Sequence, residues 1–458
     1  MLRTIITVAT NVILAASACA QPTSSSPAGA QAWRADEAHA LAGHRQLTFE
    51  KDFLKAGESY FSPDGSKIIF QAIEAVKPGD AMPEDFYGMY VGDVTRDAEG
   101  RIAAPGLTNF RRLSPAGSAN TCGWFHPLEP GVVIFGSTIT SPTAQSAPGY
   151  QRGTGRYKWM FPPEMDIVTA NLDRADGTAA TLQRLVADPA AYIAECSYSG
   201  DGRHLLFNSL QANQGDLFTI DRKTGVKTHL VSAPGYDGGP FFSPDGKRIC
   251  YRSDRRGNNL LQIFIGDLAF DEAGTITGLQ REYQLTDNAS VNWAPYWHPD
   301  GRHLLYTTSE ISHQNYEVYI IDADPGNLSG RPGPVKYGTR KRRITVADGF
   351  DGLPVFDAAG TTMLWTSQRG SDRSSQLWVA DFVLDIDAAP METEPPTHTE
   401  QPGASEITVT DPETGLIYLY NPRTHKLTAY NPLTHAVREV TDAAEQAKAM
   451  RLFEAAGK

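Results

Sequence analysis

The sequence has fewer basic residues than a nucleic-acid-binding protein needs, and fewer cysteines than a disulfide-rich protein needs. Its 41 Lys and Arg are outnumbered by 53 Asp and Glu, which leaves a formal net charge of −12. Because an acidic surface repels polyphosphate, we expect no nucleic-acid partner. The cysteines have no spacing typical of a disulfide framework or a metal site, so Cys122, Cys196 and Cys250 are expected to be small buried residues.

Motifs of known catalytic sites are missing as well. The sequence contains no G-x-S-x-G elbow, no H-E-x-x-H pair, no Walker loop and no dinucleotide fingerprint. His204 and His303 are expected at exposed strand positions, and His126 and His298 are expected to bond turns rather than a metal. The sequence therefore predicts no catalytic residue, no metal ligand and no resident cofactor.

The N-terminal residues have the pattern of an export signal. The apolar stretch that follows Arg3 is shorter than the roughly 20 residues that a membrane-spanning helix needs. Residues 1–20 are therefore predicted to be a signal peptide, and the protein is expected in the periplasm or outside the cell. Lipidation of Cys19 at a weak lipobox is the alternative to plain cleavage, and it is the one membrane attachment that we expect. Residues 21–43 are predicted to be a flexible linker that is dispensable for folding up to about residue 40.

One turn motif recurs six times along the chain. An aromatic-aromatic-Ser-Pro-Asp-Gly turn at residues 60–65 returns at 241–246 and, with His in place of Ser, at 296–301, and degenerate copies begin at residues 124, 197 and 355. Pro presets φ, Asp caps the turn and Gly accepts a positive φ, so each copy predicts a β-hairpin. A third and a fourth short run complete each unit, which is the content of one propeller blade.

The six units predict an all-β fold, a six-bladed β-propeller over residues 44–386. Five fourth strands lie between the six hairpins, and the missing one is found ahead of the first hairpin, at residues 45–48. This N-terminal strand is expected to close the ring by completing the last blade, which removes free sheet edges. Residues 387–404 are predicted to be an acidic Pro-rich linker, and 405–458 a small β-meander and a C-terminal helix with Thr441 or Asp442 as its N-cap.

These turns resemble those of the TolB-type six-bladed β-propeller family, with its WD-like repeats. Two further segments carry the resemblance: residues 253–257 run on to Gln262-Ile263-Phe264, and residues 367–370 run on to Gln376-Leu377-Trp378. The resemblance covers roughly residues 44–385, without the α/β domain that TolB carries ahead of its propeller. It implies the fold and leaves the function open, because one propeller hosts many activities.

Alignment of the innermost strands brings polar residues into register at one mouth of the central channel. One column holds Asn120, Asp237, Asn292 and Asp351, and the two remaining blades carry acids two positions further along. Those acids are Glu58 and Glu195. Such a ring could bind a cation such as calcium, or a polar or basic ligand. The alternative is that the Asp and Asn side chains cap the loops between blades.

A second candidate site is an insertion in blade two, residues 137–164. It is basic and aromatic, unlike the rest of this acidic chain, and loops of that kind often carry recognition. The alternative is that its aromatic residues cover the propeller face. The residues that we single out are Tyr150, Arg152, Arg156, Tyr157 and Trp159.

Two functional hypotheses follow. The first is an exported, monomeric, non-enzymatic binding or scaffold protein for a protein, peptide or glycan in the cell envelope. The second is a carbohydrate-active lyase or hydrolase built at the channel mouth. A pair of carboxylates or a cluster of histidines that converge in space would favour the second.

Overall fold

The structure is a computed structural model. It describes residues 32–76, 84, 86–143, 162–211, 214–323, 340–386, 407–411, 414, 416–421, 426–430 and 437–455. The candidate residues of the blade-two insertion and Cys19 lie outside these ranges, as does the predicted linker at 387–404.

Six four-stranded antiparallel sheets correspond to the six predicted units, which confirms the six-bladed propeller. In blades one to five the strands follow chain order from the channel outward. In blade six the N-terminal strand is outermost. With strands numbered in chain order, the bounds are, for blade one, β2 (Phe53–Phe61), β3 (Lys67–Glu74), β4 (Gly88–Arg96) and β5 (Ile102–Arg112); for blade two, β6 (Asn120–Phe125), β7 (Val132–Ser137), β8 (Asp166–Asn171) and β9 (Leu182–Val186); for blade three, β10 (Tyr192–Tyr198), β11 (His204–Gln211), β12 (Gln214–Asp221) and β13 (Lys227–Val231); for blade four, β14 (Asp237–Phe242), β15 (Arg248–Ser253), β16 (Gln262–Phe270) and β17 (Ile276–Gln284); for blade five, β18 (Asn292–Trp297), β19 (His303–Ser312), β20 (Asn315–Asp322) and β21 (Lys341–Arg343); and for blade six, β22 (Asp351–Phe356), β23 (Thr362–Ser367), β24 (Gln376–Phe382) and β1 (Leu41–Gln46).

The second strand of every blade is buried along most of its length, because neighbouring blades cover both of its faces. This explains why these strands read as continuous apolar runs rather than as alternating patterns. The packed faces of neighbouring blades supply the hydrophobic core. The channel is therefore enclosed by rigid strands, on which a site can be positioned accurately.

The repeated turns have the hydrogen bonds that their residue types predict. In blade four the hydroxyl of Ser243 donates to Asp245 Oδ1 over 2.6 Å, and the same oxygen accepts the amide of Lys247 over 3.1 Å. His126 and His298 replace that Ser, and their Nδ1 atoms accept backbone amides at 2.9 Å and 3.2 Å. The predicted turn-bonding role of these two histidines is confirmed.

Two other histidines differ from the prediction. His204 and His303 were expected to be exposed, but only 5% and 2% of their surface is accessible. Each begins the second strand of its blade and faces an acid that ends the third strand, Asp221 or Asp322. Phe270 and Thr275 of blade four contact the first of these pairs, which the sequence of blade three alone does not reveal.

The ring closes as predicted, although the closing strand begins earlier. Strand β1 pairs antiparallel with β24, and the amide of Leu47 continues the ladder by donating to Leu377 O over 2.8 Å. The part of the predicted linker from residue 33 onward is a short helix α1 (Trp33–Asp36) and the start of β1. Glu37, between them, is fully buried. This burial leads us to expect that removal of residues 33–40 destabilises the propeller.

Glu37 belongs to a group of charged and aromatic side chains that we call the N-terminal clasp: Trp33, Glu37, His44, Asp351 and Arg369. The two Nη atoms of Arg369 donate to the Glu37 carboxylate over 2.8 Å and 3.0 Å, and Nη2 also donates to Asp351 over 2.9 Å. His44 lies 2.7 Å from Glu37, and the Trp33 ring centre lies 4.3 Å from the Arg369 guanidinium. The clasp joins the N-terminal residues to the last blade.

The C-terminal residues form a separate four-stranded meander and a helix. The strands are β25 (Ile407–Thr410), β26 (Ile417–Asn421), β27 (Lys426–Tyr430) and β28 (Val437–Glu439), and the helix is α2 (Ala443–Ala455). The Asp442 carboxylate accepts the Glu445 amide over 2.8 Å, which makes Asp442 the N-cap. Within the residues that the structure describes, no helix combines the length and the apolar character needed to cross a membrane.

Candidate functional site

A β-bulge occurs at the same place in all six innermost strands. The pairing register shifts there in every blade. The bulged residues have φ between +39° and +58°, and all six line one cavity in the channel. They are Glu58, Cys122, Glu195, Gly239, Ala294 and Leu353. Bulges re-aim side chains, and here they turn one residue of each blade toward the channel axis.

Aromatic rings close the channel two residues beyond the bulge in four of the innermost strands. Tyr60, Trp124, Phe241 and Tyr296 are in mutual contact, with ring centroids 4.9 to 6.4 Å apart. The cavity lies above these rings, toward the face of the propeller at which the innermost strands begin. We call this the mouth face, and the cavity the mouth pocket.

Strand register confirms the alignment that defined the predicted column. Asn120, Asp237 and Asp351 each pair with a serine of the second strand, and Asn292 pairs with Thr308. All four are buried, with at most 4% of their surface accessible, and none lines the mouth pocket. The predicted ring is therefore divided, because only Glu58 and Glu195 line the pocket.

The two aspartates of the column are engaged within their own blades and loops. Asp237 Oδ2 accepts the amide of Ala233 over 3.1 Å, and burial raises the pKa of Asp237 to about 6. Asp351 accepts Trp365 Nε1 over 2.8 Å as well as its bond from Arg369, and burial raises its pKa too. These contacts are those of the capping alternative. A ligand-binding role for the column stays a prediction.

The two asparagines donate where the aspartates accept. Asn120 Nδ2 donates to Ser118 O over 2.9 Å, and Asn292 Nδ2 donates to Asn288 Oδ1 and Ser290 O over 2.8 Å and 3.2 Å. Each amide thus ties the loop that leads into its innermost strand. The residues of the polar column thus stabilise the mouth face, as hydrogen-bond acceptors in two blades and as donors in two others.

Glu195, in contrast, reaches across to blade four and has a cationic partner in the mouth pocket. Its Oε1 accepts Tyr236 OH over 2.5 Å and Arg252 Nη2 over 3.1 Å, and its Oε2 accepts the Gly239 amide over 2.5 Å. A β-carbon on Gly239, whose φ is +58°, would lie 2.1 Å from Arg252 Nη1. Glycine is required there so that Arg252 can approach Glu195.

Glu58 lines the same pocket without a cation at ion-pair distance among the described residues. Its carboxylate accepts Tyr60 OH over 3.3 Å and Thr121 Oγ1 over 3.2 Å. Burial, and then the nearby charge of Glu195, hold the pKa of Glu58 above its ordinary value. The pocket thus contains two carboxylates and one guanidinium.

Two thiols complete the lining of the pocket. Cys122 and Cys196 are unpaired, and burial raises the pKa of both thiols, so they are weak nucleophiles and poor metal ligands at neutral pH. No group of three or more His, Cys, Asp and Glu that could hold a metal occurs in the described ranges. A cation such as calcium at the mouth stays a prediction.

The size of the pocket limits its chemistry. About 30 Å³ is open to the centre of a water molecule, which is room for about one or two waters. Glu58 and Glu195 do converge there, as the enzymatic hypothesis requires, but a sugar ring does not fit between them. Glu195 is also held by Arg252 and Tyr236, whereas a glycosidase needs both carboxyl groups at the scissile bond.

Comparisons with known proteins agree with this architecture. The chain is 24% identical over 192 residues to the Tol-Pal system protein TolB of Wolinella succinogenes, a match that covers 41% of this chain and 39% of that protein. This partial match and the six four-stranded sheets support a TolB-type six-bladed β-propeller. The resemblance seen in the turns is confirmed, while no family model matches the chain.

Other relatives of this TolB-type propeller are matched in part. An uncharacterized protein of Agrobacterium fabrum is 26% identical over 137 residues, which cover 29% of this chain and 43% of that protein. The chain thus spans about two fifths of the length of these curated relatives. A solved structure of a putative TolB from Agrobacterium tumefaciens has a TM-score of 0.42 and 15% identity, and it covers 72% of this chain and 91% of that one.

Sequence reasoning missed several residues of the TolB-type propeller's mouth. Arg252, Tyr236 and Tyr60 contact the two glutamates. The second strands of the other five blades carry an uncharged residue at the place of Arg252, and this contrast could have drawn attention to it. The ring centroids of Trp293 and Phe350 lie 6.2 Å apart. Nothing in the sequence apart from their aromatic character points to these two residues.

Proposed function

We propose that the protein is exported and acts in the cell envelope as a non-enzymatic binding protein that holds a protein, peptide or glycan at the mouth face. The observation that carries this proposal is the charged pocket of the channel. The rings of Tyr60, Phe241 and Tyr296 line it together with two carboxylates and one guanidinium.

Aromatic and basic side chains lie close to the pocket. Tyr236, Trp293 and Tyr316 form one buried apolar cluster, and the partly exposed Phe350 packs against it. The Arg252 guanidinium lies 5.9 Å from the centre of the Trp293 ring. Tyr, Trp and Arg side chains dominate the binding energy of protein interfaces when they surround a pocket. This favours a protein or peptide over a glycan.

Strand pairing supports a role for the blade-two insertion at the same face. Ser137 pairs with Asn120 and also with Asp166, so the described residues on both sides of the insertion lie at the level of the column. We propose that the mouth and this insertion act on one partner rather than as separate sites.

The curated relatives support the class of partner. The relative from Wolinella succinogenes is named a Tol-Pal system protein. We propose that this chain is also exported to the cell envelope and that its partner there is a protein. A single-chain state is part of the same proposal, and lipidation of Cys19 stays the alternative to plain cleavage of the signal peptide.

Photocrosslinking from the two faces tests the proposal. A crosslinking amino acid at Asp348, exposed beside the mouth, should capture a discrete partner from envelope extract, whereas one at Lys247, exposed on the opposite face, should not. Replacement of residues 144–161 by a Gly-Ser segment should reduce capture from Asp348. Equal capture from both positions would overturn the assignment to the mouth face.

A further inference from the structure

We propose that the mouth pocket receives the ammonium tip of one lysine side chain of the bound partner, with the Glu58 carboxylate as its counter-ion. The inference rests on the proposed function and specifies the chemistry that the partner must present. It follows from the charge, the lining, the size and the rigidity of the pocket.

The charges of the pocket are unequal. Glu195 is neutralised by Arg252 and bonded by Tyr236, whereas no lysine, arginine or histidine of the described chain lies within ion-pair distance of Glu58. Its hydrogen bonds come from neutral groups, the hydroxyls of Tyr60 and Thr121 and the thiol of Cys122. A carboxylate taken out of water is costly unless it is paired, so the pocket favours a cation brought by a ligand.

The lining suits an ammonium group in particular. The pocket is lined by the rings of Tyr60, Phe241 and Tyr296 around the charged groups. A cation near an aromatic face is attracted by the ring quadrupole, and more strongly when water is excluded. The Glu58 carboxylate supplies the charge, and the rings replace the water that the ammonium loses.

The size of the pocket selects the tip of a side chain. The 30 Å³ open to the centre of a water molecule matches an ammonium, which is close to a water in size. A guanidinium is a larger planar group, and a sugar ring is larger still. The lysine stem would extend past Leu353, which lines the pocket and packs against the neighbouring apolar cluster.

The carboxylate is held in place before any ligand arrives. Glu58 has φ of +39° at the bulge, and its amide donates to Thr366 Oγ1 of blade six over 3.2 Å. Thr121, from blade two, holds one carboxylate oxygen. Three blades thus fix this side chain, which lowers the conformational entropy lost on binding.

The test uses the full chain with small probes measured by ligand-observed NMR. N-acetyl-lysine methylamide is the probe, N-acetyl-norleucine methylamide is its uncharged counterpart, and N-acetyl-arginine methylamide tests the larger cation. Glu58→Gln should weaken the lysine probe by about ten- to a hundredfold, the effect of losing one charged hydrogen bond. Glu50→Gln, at an exposed acid away from the pocket, should leave it unchanged.

The outcomes separate this inference from the proposed function. If Glu58→Gln keeps its melting temperature and binds the lysine probe as the unaltered chain does, or if the norleucine probe binds equally well, the inference is overturned. Crosslinking from Asp348 would still decide the proposed function. If binding of the lysine probe depends on Glu58 but no partner is captured at the mouth, the cation preference of the pocket is confirmed and the proposed function is wrong.

Discussion

At one position of the blade, the residue type decides the direction of the hydrogen bonds. Asp237 accepts the amide of Ala233, whereas Asn292 at the matching place donates to Asn288 and Ser290. The presence of an amide in one blade therefore does not make it a neutral replacement for the carboxylate in another. Each loop is built for its own donor or acceptor.

Asp237→Asn should change how stability depends on pH. The pKa of Asp237 rises from 3.8 to about 6 on folding, so between these values the folded state holds a proton that the unfolded state has released. The unfolding free energy of the unaltered chain should fall as pH rises through this window, by roughly 3 kcal/mol relative to the variant. Urea unfolding of both proteins at pH 4 and pH 7 measures the difference. Parallel pH profiles would contradict it.

Glu37→Ala should be strongly destabilising. Glu37 accepts two bonds from Arg369, the Val346 amide over 2.8 Å and the contact with His44, and all of these would be lost. Burial alone would raise the pKa of Glu37, but its bonds to His44 and Arg369 lower it, which is consistent with a carboxylate that is charged in the folded state. Removal of one member of a buried ion pair costs about 3–5 kcal/mol. Chemical unfolding measures this cost, and Asp36→Ala, at the exposed neighbour, should be nearly silent.

At the scale of the strand, the bulge is the element that builds the mouth pocket. In a regular strand successive side chains point to opposite faces of the sheet, so without the bulge these six residues would not all face the channel. Gly239 occupies the bulge of blade four with φ of +58°, and Ala294 occupies that of blade five with φ of +49°. The same backbone thus carries different side chains around the ring.

This pair allows a matched substitution. Gly239→Ala should cost about 2–3 kcal/mol, because alanine disfavours this backbone region and its β-carbon would displace Arg252 from Glu195. Ala294→Gly should stay within about 1 kcal/mol of the unaltered chain, because relief of backbone strain offsets the lost methyl group. Thermal unfolding compares them. Equal losses of stability in the two variants would show that the contact with Arg252 does not determine the cost of Gly239→Ala.

The blades could be predicted because each is specified locally. The turn residues, the apolar second strand and the acid that ends the third strand recur within about 50 residues. The same alignment placed Glu58 and Glu195 two positions beyond the column, as the register shows. The bonds of Glu195 to Arg252 and of Arg369 to Glu37 could not be predicted, because they join different blades or the two ends of the propeller.

At the scale of the whole molecule, the propeller has two faces with different roles. The hairpin turns with their Pro-Asp-Gly sequences lie on one face, and the polar column, the mouth pocket and the anchors of the blade-two insertion lie on the other. The column and the clasp stabilise the rim, and the two glutamates line the pocket. Stability and the proposed recognition are thus carried by neighbouring residues of one face.

Closure of the ring by the N-terminal residues can be tested with three chains that begin at residues 32, 41 and 50. The chain from 32 keeps the clasp, the chain from 41 loses Trp33 and Glu37 but keeps β1, and the chain from 50 also loses β1. The second should lose at least as much unfolding free energy as Glu37→Ala. The third should not unfold cooperatively, because β24 becomes an exposed edge and the core loses Leu41 and Leu47. If the chain from 50 kept the transition of the chain from 32, the six blades would be stable without closure, and the clasp would need another explanation.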